Sequence, residues 1–170
     1  MNKTYIGIDN GVTGSIAILS AYTKNIFLYK TPTISQQSYT KTKQTISRLD
    51  CHAFLNIIDS IKNIQADIVS PFVIIERPMV NPTRFKATMS ALRCLEATLI
   101  CLEMLKYPYI YIDSKQWQKE LLPQGTKKEQ LKKASLDIGC RLFPHLKNEI
   151  IKQKDADALL IAEYARRNNL

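Results

Sequence analysis

The stretch Tyr5-Ile6-Gly7-Ile8-Asp9-Asn10-Gly11-Val12-Thr13-Gly14-Ser15-Ile16-Ala17-Ile18-Leu19 decides how the rest of the chain is read. It is an apolar run, one carboxylate, a glycine turn and a second apolar run. Ile6 and Ile8 alternate with small Gly7, the pattern of a buried strand. Asn10-Gly11 is a short-range hairpin signal, because both residues tolerate positive φ. Ser15 to Leu19 then reads as the returning strand. Asp9 therefore falls at the end of a rigid strand, where a carboxylate is destabilising unless something neutralises it. It either bonds the turn amides or serves as a functional acid, and this segment alone leaves both readings open.

The chain has 170 residues, the length of one domain with a substantial core, and residues 1–170 are expected to form a single domain. Its formal charge of +9 suits a polyanionic partner, most simply nucleic acid. No run approaches the length of a membrane span, and the N-terminal residues lack the layout of a signal peptide. Cys51, Cys94, Cys101 and Cys140 form no C-x-x-C pair and lack zinc spacing. Cys94 and Cys101 fall inside a helical pattern and read as core packing. A reducing intracellular compartment is expected.

Beyond the first hairpin, Asn25 to Tyr29 is a third strand. The polar segment from Thr31 to Ser47 reads as a mobile loop carrying Lys41 and Lys43. Asp50 to Lys62 is an amphipathic helix with Phe54, Ile57, Ile58 and Ile61 on one face; His52 near its start reads as solvated or capping. Phe72-Val73-Ile74-Ile75 is a continuous apolar run, as in a strand covered on both faces. It ends in Glu76-Arg77-Pro78. Glu76 is thus a second carboxylate at the end of a buried strand. A bond to Arg77 is geometrically poor, since successive strand residues face opposite ways.

Pro82 to Lys86 is a basic linker with Arg84, Phe85 and Lys86. Ala87 to Lys106 is a long helix with two apolar stripes, one through Leu92, Leu95, Leu99 and Leu102, the other through Ala91, Cys94, Thr98, Cys101 and Leu105. The second stripe is more than a surface helix needs, and calls for another helix or a partner subunit. Tyr109 to Asp113 is a fifth strand, after which Ser114 can cap a short helix through Trp117 to Leu122. Thr126-Lys127-Lys128-Glu129 fits a capping box opening a helix to about Leu142, with Leu131, Ala134, Ile138 and Leu142 on its apolar face. Lys127, Lys128, Lys132 and Lys133 crowd the start of that helix, where a phosphate is favoured and lysine alone is not. In the last segment, Asp155 to Arg167, Asp157 shares a face with Leu160, Ile161 and Tyr164. Asp155 is an N-cap candidate, roughly 200° away from Asp157 if both are helical.

The order is three strands, helix, strand, helix, strand, helices: an α/β chain with a mixed sheet. Three carboxylates at element ends fit two-metal phosphodiester cleavage. Asp9, Glu76 and Asp157 offer hard oxygen ligands for Mg²⁺, and two such ions about 4 Å apart activate water and stabilise the leaving oxygen.

These residues resemble the RuvC-like Holliday junction resolvases of the ribonuclease H fold, in their compact phage, viral or organellar form. The likeness runs from Gly7 to Ala165. It rests on Gly7-Ile8-Asp9-Asn10-Gly11 with Thr13-Gly14, on Ile74-Ile75-Glu76-Arg77-Pro78, on Asp113 to Lys119, on the lysine-rich Thr126 to Lys133 and on Asp157-Ala158-Leu159-Leu160-Ile161-Ala162. The resemblance implies a five-stranded mixed sheet flanked by helices. It implies a homodimer, joined through the helix Ala87–Lys106, that nicks four-way DNA symmetrically with Mg²⁺ or Mn²⁺ in recombination and repair. It implies Asp9, Glu76 and Asp157 as metal ligands. The family often places a fourth acid one turn before the last, which is Lys154 here, and Asp155 can replace it if the chain is not yet helical there. Lys127 or Lys128 matches a lysine near the scissile phosphate. Phe85 matches an aromatic at the junction centre, with a core role the alternative. Arg84, Lys86 and Lys132 complete the expected DNA contacts. Competing readings are a ribonuclease of the same fold acting on RNA–DNA hybrid, a phosphotransferase of the actin and sugar-kinase type, whose loop also reads Asp-x-Gly-x-Thr-Gly but whose fold needs roughly twice this length, and an inactive DNA-binding module.

Overall fold

The computed structural model describes residues 3–20, 25–41, 43–64 and 71–170, and of 61–64 the backbone alone, so the expected role of Ile61 lies outside the described side chains. Strands β1 (Thr4–Asp9), β2 (Ser15–Ser20) and β3 (Ile26–Lys30) form an antiparallel meander. A ribbon follows, β4 (Thr33–Gln37) paired with β5 (Thr45–Leu49), and then helix α1 (Cys51–Ile64). Strand β6 (Phe72–Glu76) leads into α2 (Phe85–Leu105) and β7 (Tyr109–Ile112). The chain ends in α3 (Ser114–Leu121), α4 (Leu131–Leu142), α5 (Lys147–Gln153) and α6 (Asp157–Arg167). The main sheet has the order β3-β2-β1-β6-β7, with β6 parallel to both β1 and β7.

Side-chain alternation sends the strands' apolar residues to two faces. Ile6, Ile8, Val73 and Ile75 pack with Phe54 and Ile58 of α1 and with Cys94, Cys101 and Leu102 of α2. Tyr5, Ala17, Ile74 and Ile112 pack on the other side with Trp117, Ile138, Ile150 and the residues of α6. Helix α6 is buried continuously from Ala158 to Glu163, because it lies between the sheet and helices α3 and α4. Each fully buried leucine or isoleucine there contributes about 1.5–3 kcal/mol. Gly7 makes this packing possible. A Cβ on Gly7 would lie 2.2 Å from the Ala158 carbonyl oxygen and 2.7 Å from the Ala162 nitrogen, so the backbone of α6 rests directly on β1.

Several expectations are corrected. The first turn is not centred on Asn10-Gly11. Asp9 pairs with Ser15, leaving residues 10–14 as the loop, closed by the Gly14 N–H donating to the Gly11 carbonyl at 3.0 Å. Asn10 lacks positive φ and instead donates through Nδ2 to the Ala91 carbonyl of α2. The segment Thr31 to Ser47 is not a loop, because it holds β4 and most of β5. That ribbon is exposed along β4 and anchored by Leu49, so its ladder hydrogen bonds, and not burial, define it. Such a strand leaves no hydrophobic period to read.

Asp113, not Ser114, caps α3, its N–H held at 2.8 Å by Oε1 of Gln116. Thr126 and Glu129 form no capping box. The chain makes a 3₁₀ turn at Lys128–Gln130 before α4 starts at Leu131, and the Thr126 hydroxyl donates back to the Pro123 carbonyl. Helix α2 turns Cys94, Thr98, Cys101 and Leu102 toward the sheet and leaves Leu92, Ile100 and Met104 exposed.

Candidate active site

Strands β1 and β6 run parallel with Ile8 beside Ile75. Asp9 and Glu76 are the next residues along these neighbouring strands. They share the face of Gly7 and Ile74, which is the face α6 covers. The close seat of α6 on Gly7 therefore brings the first residue of that helix, Asp157, over the end of β1. Before it, α5 ends at Lys154 in the left-handed region, φ 56°, and turns the chain into the short link of Asp155 and Ala156. Asp155 is outside the helix, so the 200° separation does not arise. Its Oδ1 accepts the Asp157 backbone N–H at 2.9 Å. One carboxylate oxygen each from Asp9, Asp155 and Asp157 lies within 4.8 Å of the others.

The acids are held by neutral groups. The indole Nε1 of Trp117 donates to Glu76 Oε2 at 3.3 Å, and the Ser135 hydroxyl donates to Asp157 Oδ1. Gly14 presses on Asp9 from the loop side, where a Cβ would lie 2.1 Å from the Asp9 carbonyl oxygen. Arg77 turns away from Glu76 and pairs with Asp113 at 3.3 Å, over the Tyr111 ring. Trp117 and Ser135 escaped the sequence reading as acid partners. Ser135 had a usable signal, since it interrupts the apolar face of α4 one turn after Leu131. For Trp117 the only cue was its indole donor, which needs a partner when buried.

Burial and mutual repulsion dominate the electrostatics. Burial first, and then the charges of Asp155, Glu76 and Asp157, hold the Asp9 carboxyl well above its ordinary range, against the pull of Lys132. Burial and the neighbouring Asp157 and Asp155 push Glu76 up to about 7, although the Trp117 hydrogen bond favours its ionised form. Asp157 is also raised, by burial and by Asp155, against the Ser135 hydrogen bond and Lys132. Among the described residues, no lysine or arginine comes within ion-pair distance of these four acids. Closely spaced, hard carboxylate oxygens without a built-in countercharge fit a divalent cation such as Mg²⁺ or Mn²⁺.

Two clefts open on Asp9. One, of about 410 Å³, is lined by Thr13, Lys128, Lys132, Lys154, Asp155 and Asp157 among others. The other, of about 250 Å³, runs past Asn10, Glu76 and Arg77 to Arg84 and Ala91. Of the expected DNA contacts, Arg84, Lys128 and Lys132 line these clefts. Lys86 and Lys127 are exposed and line neither. Phe85 is 67% exposed as the first residue of α2, so the core alternative does not hold.

No protein-family model matches the sequence, and no curated protein matches it. The fold does match solved structures. One is RuvC of Thermus thermophilus in complex with a Holliday junction substrate, at TM-score 0.57 and 13% identity, covering 98% of this chain and 94% of that one. Another is a Thermus thermophilus RuvC structure at TM-score 0.52 and 14% identity, covering 98% and 96%. The chain has the RuvC-like, ribonuclease H-like fold, a five-stranded mixed sheet flanked by helices.

Proposed function

We propose that the chain is a divalent-cation-dependent endonuclease that resolves four-way DNA junctions by paired symmetric nicks. The observation that carries this reading is the convergence of Asp9, Asp155 and Asp157, with Glu76 beside them, on a fold shared with a junction-bound RuvC. Asp9, Glu76, Asp155 and Asp157 would hold Mg²⁺, or Mn²⁺ in its place. When bound, the metal supplies an activated water and charge stabilisation for the leaving oxygen of the phosphodiester.

The protein's own part is to orient and to attract. Trp117 and Ser135 fix the two carboxylates they touch. Lys128, Lys132 and Arg84, which line the two clefts, draw a phosphate toward them. Lys127 and Lys86 extend the basic surface, and the net charge of +9 favours a polyanion over its whole length. Phe85, exposed beside Arg84, is suited to stack on a base at the junction centre. The outward face of α2, with Leu92, Ile100 and Met104, would join two copies, so that two sites cut two strands. Residues 1–170 would act as one domain in a reducing compartment inside the cell, consistent with four free cysteines. Among the described residues, no helix is long and apolar enough to cross a membrane.

The test is a cleavage assay on a synthetic four-way junction, with linear duplex and RNA–DNA hybrid beside it, with Mg²⁺ and with a chelator, and a sizing measurement in parallel. Paired nicks in the junction that need the cation, from a dimer, are expected. Preferential cutting of the hybrid would replace this reading by the ribonuclease one. Undiminished cleavage in chelator would overturn both.

A further inference from the structure

We infer that Trp117 is a positioning residue for Glu76, and through it for the bound cation, acting by a hydrogen bond that adds no charge. The inference rests on the reading of the acid cluster as a cation site. Its geometry comes from the chain path. β7 lies beside β6, and the Asp113–Gln116 cap turns the chain directly from β7 into α3. That turn sets Trp117 by the end of β6, where it is 1% exposed and packed in the same core as the residues of α6. Its Nε1 then reaches Glu76 Oε2 at 3.3 Å.

An indole N–H is a donor only, so it fixes one oxygen of Glu76 and leaves the other for a ligand. A lysine or arginine in the same place would orient Glu76 as well, but its charge would compete with a cation. The nearest guanidinium in sequence, that of Arg77, is instead occupied by Asp113 and the face of Tyr111. Ser135 repeats the arrangement at Asp157, again with a neutral donor, from the buried face of α4. Two helices thus hold the two acids without neutralising them. Trp117 is also the only tryptophan in the chain, which makes its emission a built-in reporter of whatever binds at Glu76.

The test replaces Trp117 by β-(3-benzothienyl)alanine, an isostere with sulfur in place of the N–H, so that packing is kept and only the hydrogen bond is lost. Trp117→Phe serves as a second variant. Mn²⁺ affinity is measured by calorimetry on the 170-residue chain, and melting temperature reports the fold. The isostere should melt as the wild type does and bind Mn²⁺ about 10-fold more weakly, with cleavage restored at high Mn²⁺. In the wild type, Mn²⁺ should quench the tryptophan emission saturably, and Glu76→Gln should remove the quenching. Equal Mn²⁺ affinity in wild type and isostere overturns the inference while leaving the cation site intact, as does wild-type binding without quenching. No Mn²⁺ binding by the wild type overturns the cation reading itself.

Discussion

Helix α6 carries two inward-facing carboxylates, half-buried Asp157 at its start and buried Glu163 in its second half, and the two are treated in opposite ways. Glu163, toward the C-terminal end, is 4% exposed. It accepts hydrogen bonds at 2.8 Å from Arg166 through Nε and Nη2 and from Arg167 through Nε. Burial alone would raise its pKa, but the two guanidiniums outweigh burial and bring it below the ordinary value. Asp157, at the N-terminal end, has the favourable helix dipole and a neutral hydroxyl partner, yet its pKa is raised, first by burial and then by Asp155. A carboxylate kept for structure is given its countercharge by the chain. The acids at the other end keep theirs unmatched, and their charge is left for a ligand.

The largest expected effect breaks this contrast outright. Glu76→Gln and Asp157→Asn should each lower Mg²⁺-dependent junction cleavage by about three orders of magnitude, since several kcal/mol of charge stabilisation is lost, while junction binding survives. Glu163→Gln should do the reverse. It should leave the cleavage rate at the wild-type level and lower stability by about 1–2 kcal/mol, by weakening a charge-assisted network. Single-turnover cleavage and urea unfolding on the same three variants check both halves. Wild-type cleavage by Glu76→Gln would remove Glu76 from the site.

A second, smaller effect appears in the pH dependence of the metal-free protein. Folded, Glu76 keeps its proton up to about pH 7, against 4.5 ordinarily. Between those values the folded state binds the extra proton, so stability falls as pH rises. Glu76 alone accounts for a loss on the order of 3 kcal/mol, and Asp9 and Asp157 move the same way. Glu163 acts oppositely. Its contribution is present above its unfolded value and is lost as pH falls. In chelator the melting temperature should therefore be higher at pH 5 than at pH 8, by roughly 5–10 °C for a chain of this size, and Mg²⁺ at pH 8 should recover much of the difference. A flat profile between the two pH values would mean that Asp9, Glu76 and Asp157 are not desolvated together in one site.

The two ends of α6 were not equally legible in the sequence. Strands such as Phe72 to Glu76 announce themselves as apolar runs, and an acid closing such a run stands out, so Asp9 and Glu76 could be picked from the residues. Glu163 could not, because an acid within an apolar helix needs its Arg166 and Arg167 partners seen in three dimensions before its role is clear. Gly7 was legible as a small strand residue but not as the seat of α6, since only the folded chain shows the Ala158 carbonyl above it. The β4–β5 ribbon was missed because its strands bury almost nothing. Trp117 was visible as a residue and silent as a partner, because a hydrogen bond spanning 41 positions leaves no local pattern.

Asp155 is where the two treatments meet, and it sharpens the comparison with the smallest expected change. It sits outside α6 because Lys154 is left-handed, and it serves two purposes at once. Its Oδ1 caps the Asp157 N–H, and its charge raises Asp9 and Asp157. Asp155→Asn keeps an oxygen that can accept the same N–H and removes only the charge. If Asp155 contributes to the cation site, this variant should bind Mn²⁺ about 10-fold more weakly and still melt within a few degrees of the wild type. Asp155→Ala loses the cap as well and should give up a further 0.5–2 kcal/mol, about 1 kcal/mol typically. Calorimetric Mn²⁺ titration and thermal melts of both variants separate the roles. If Asp155→Asn binds Mn²⁺ as the wild type does and Asp155→Ala only melts earlier, Asp155 is a cap and belongs with Glu163 among the structural acids.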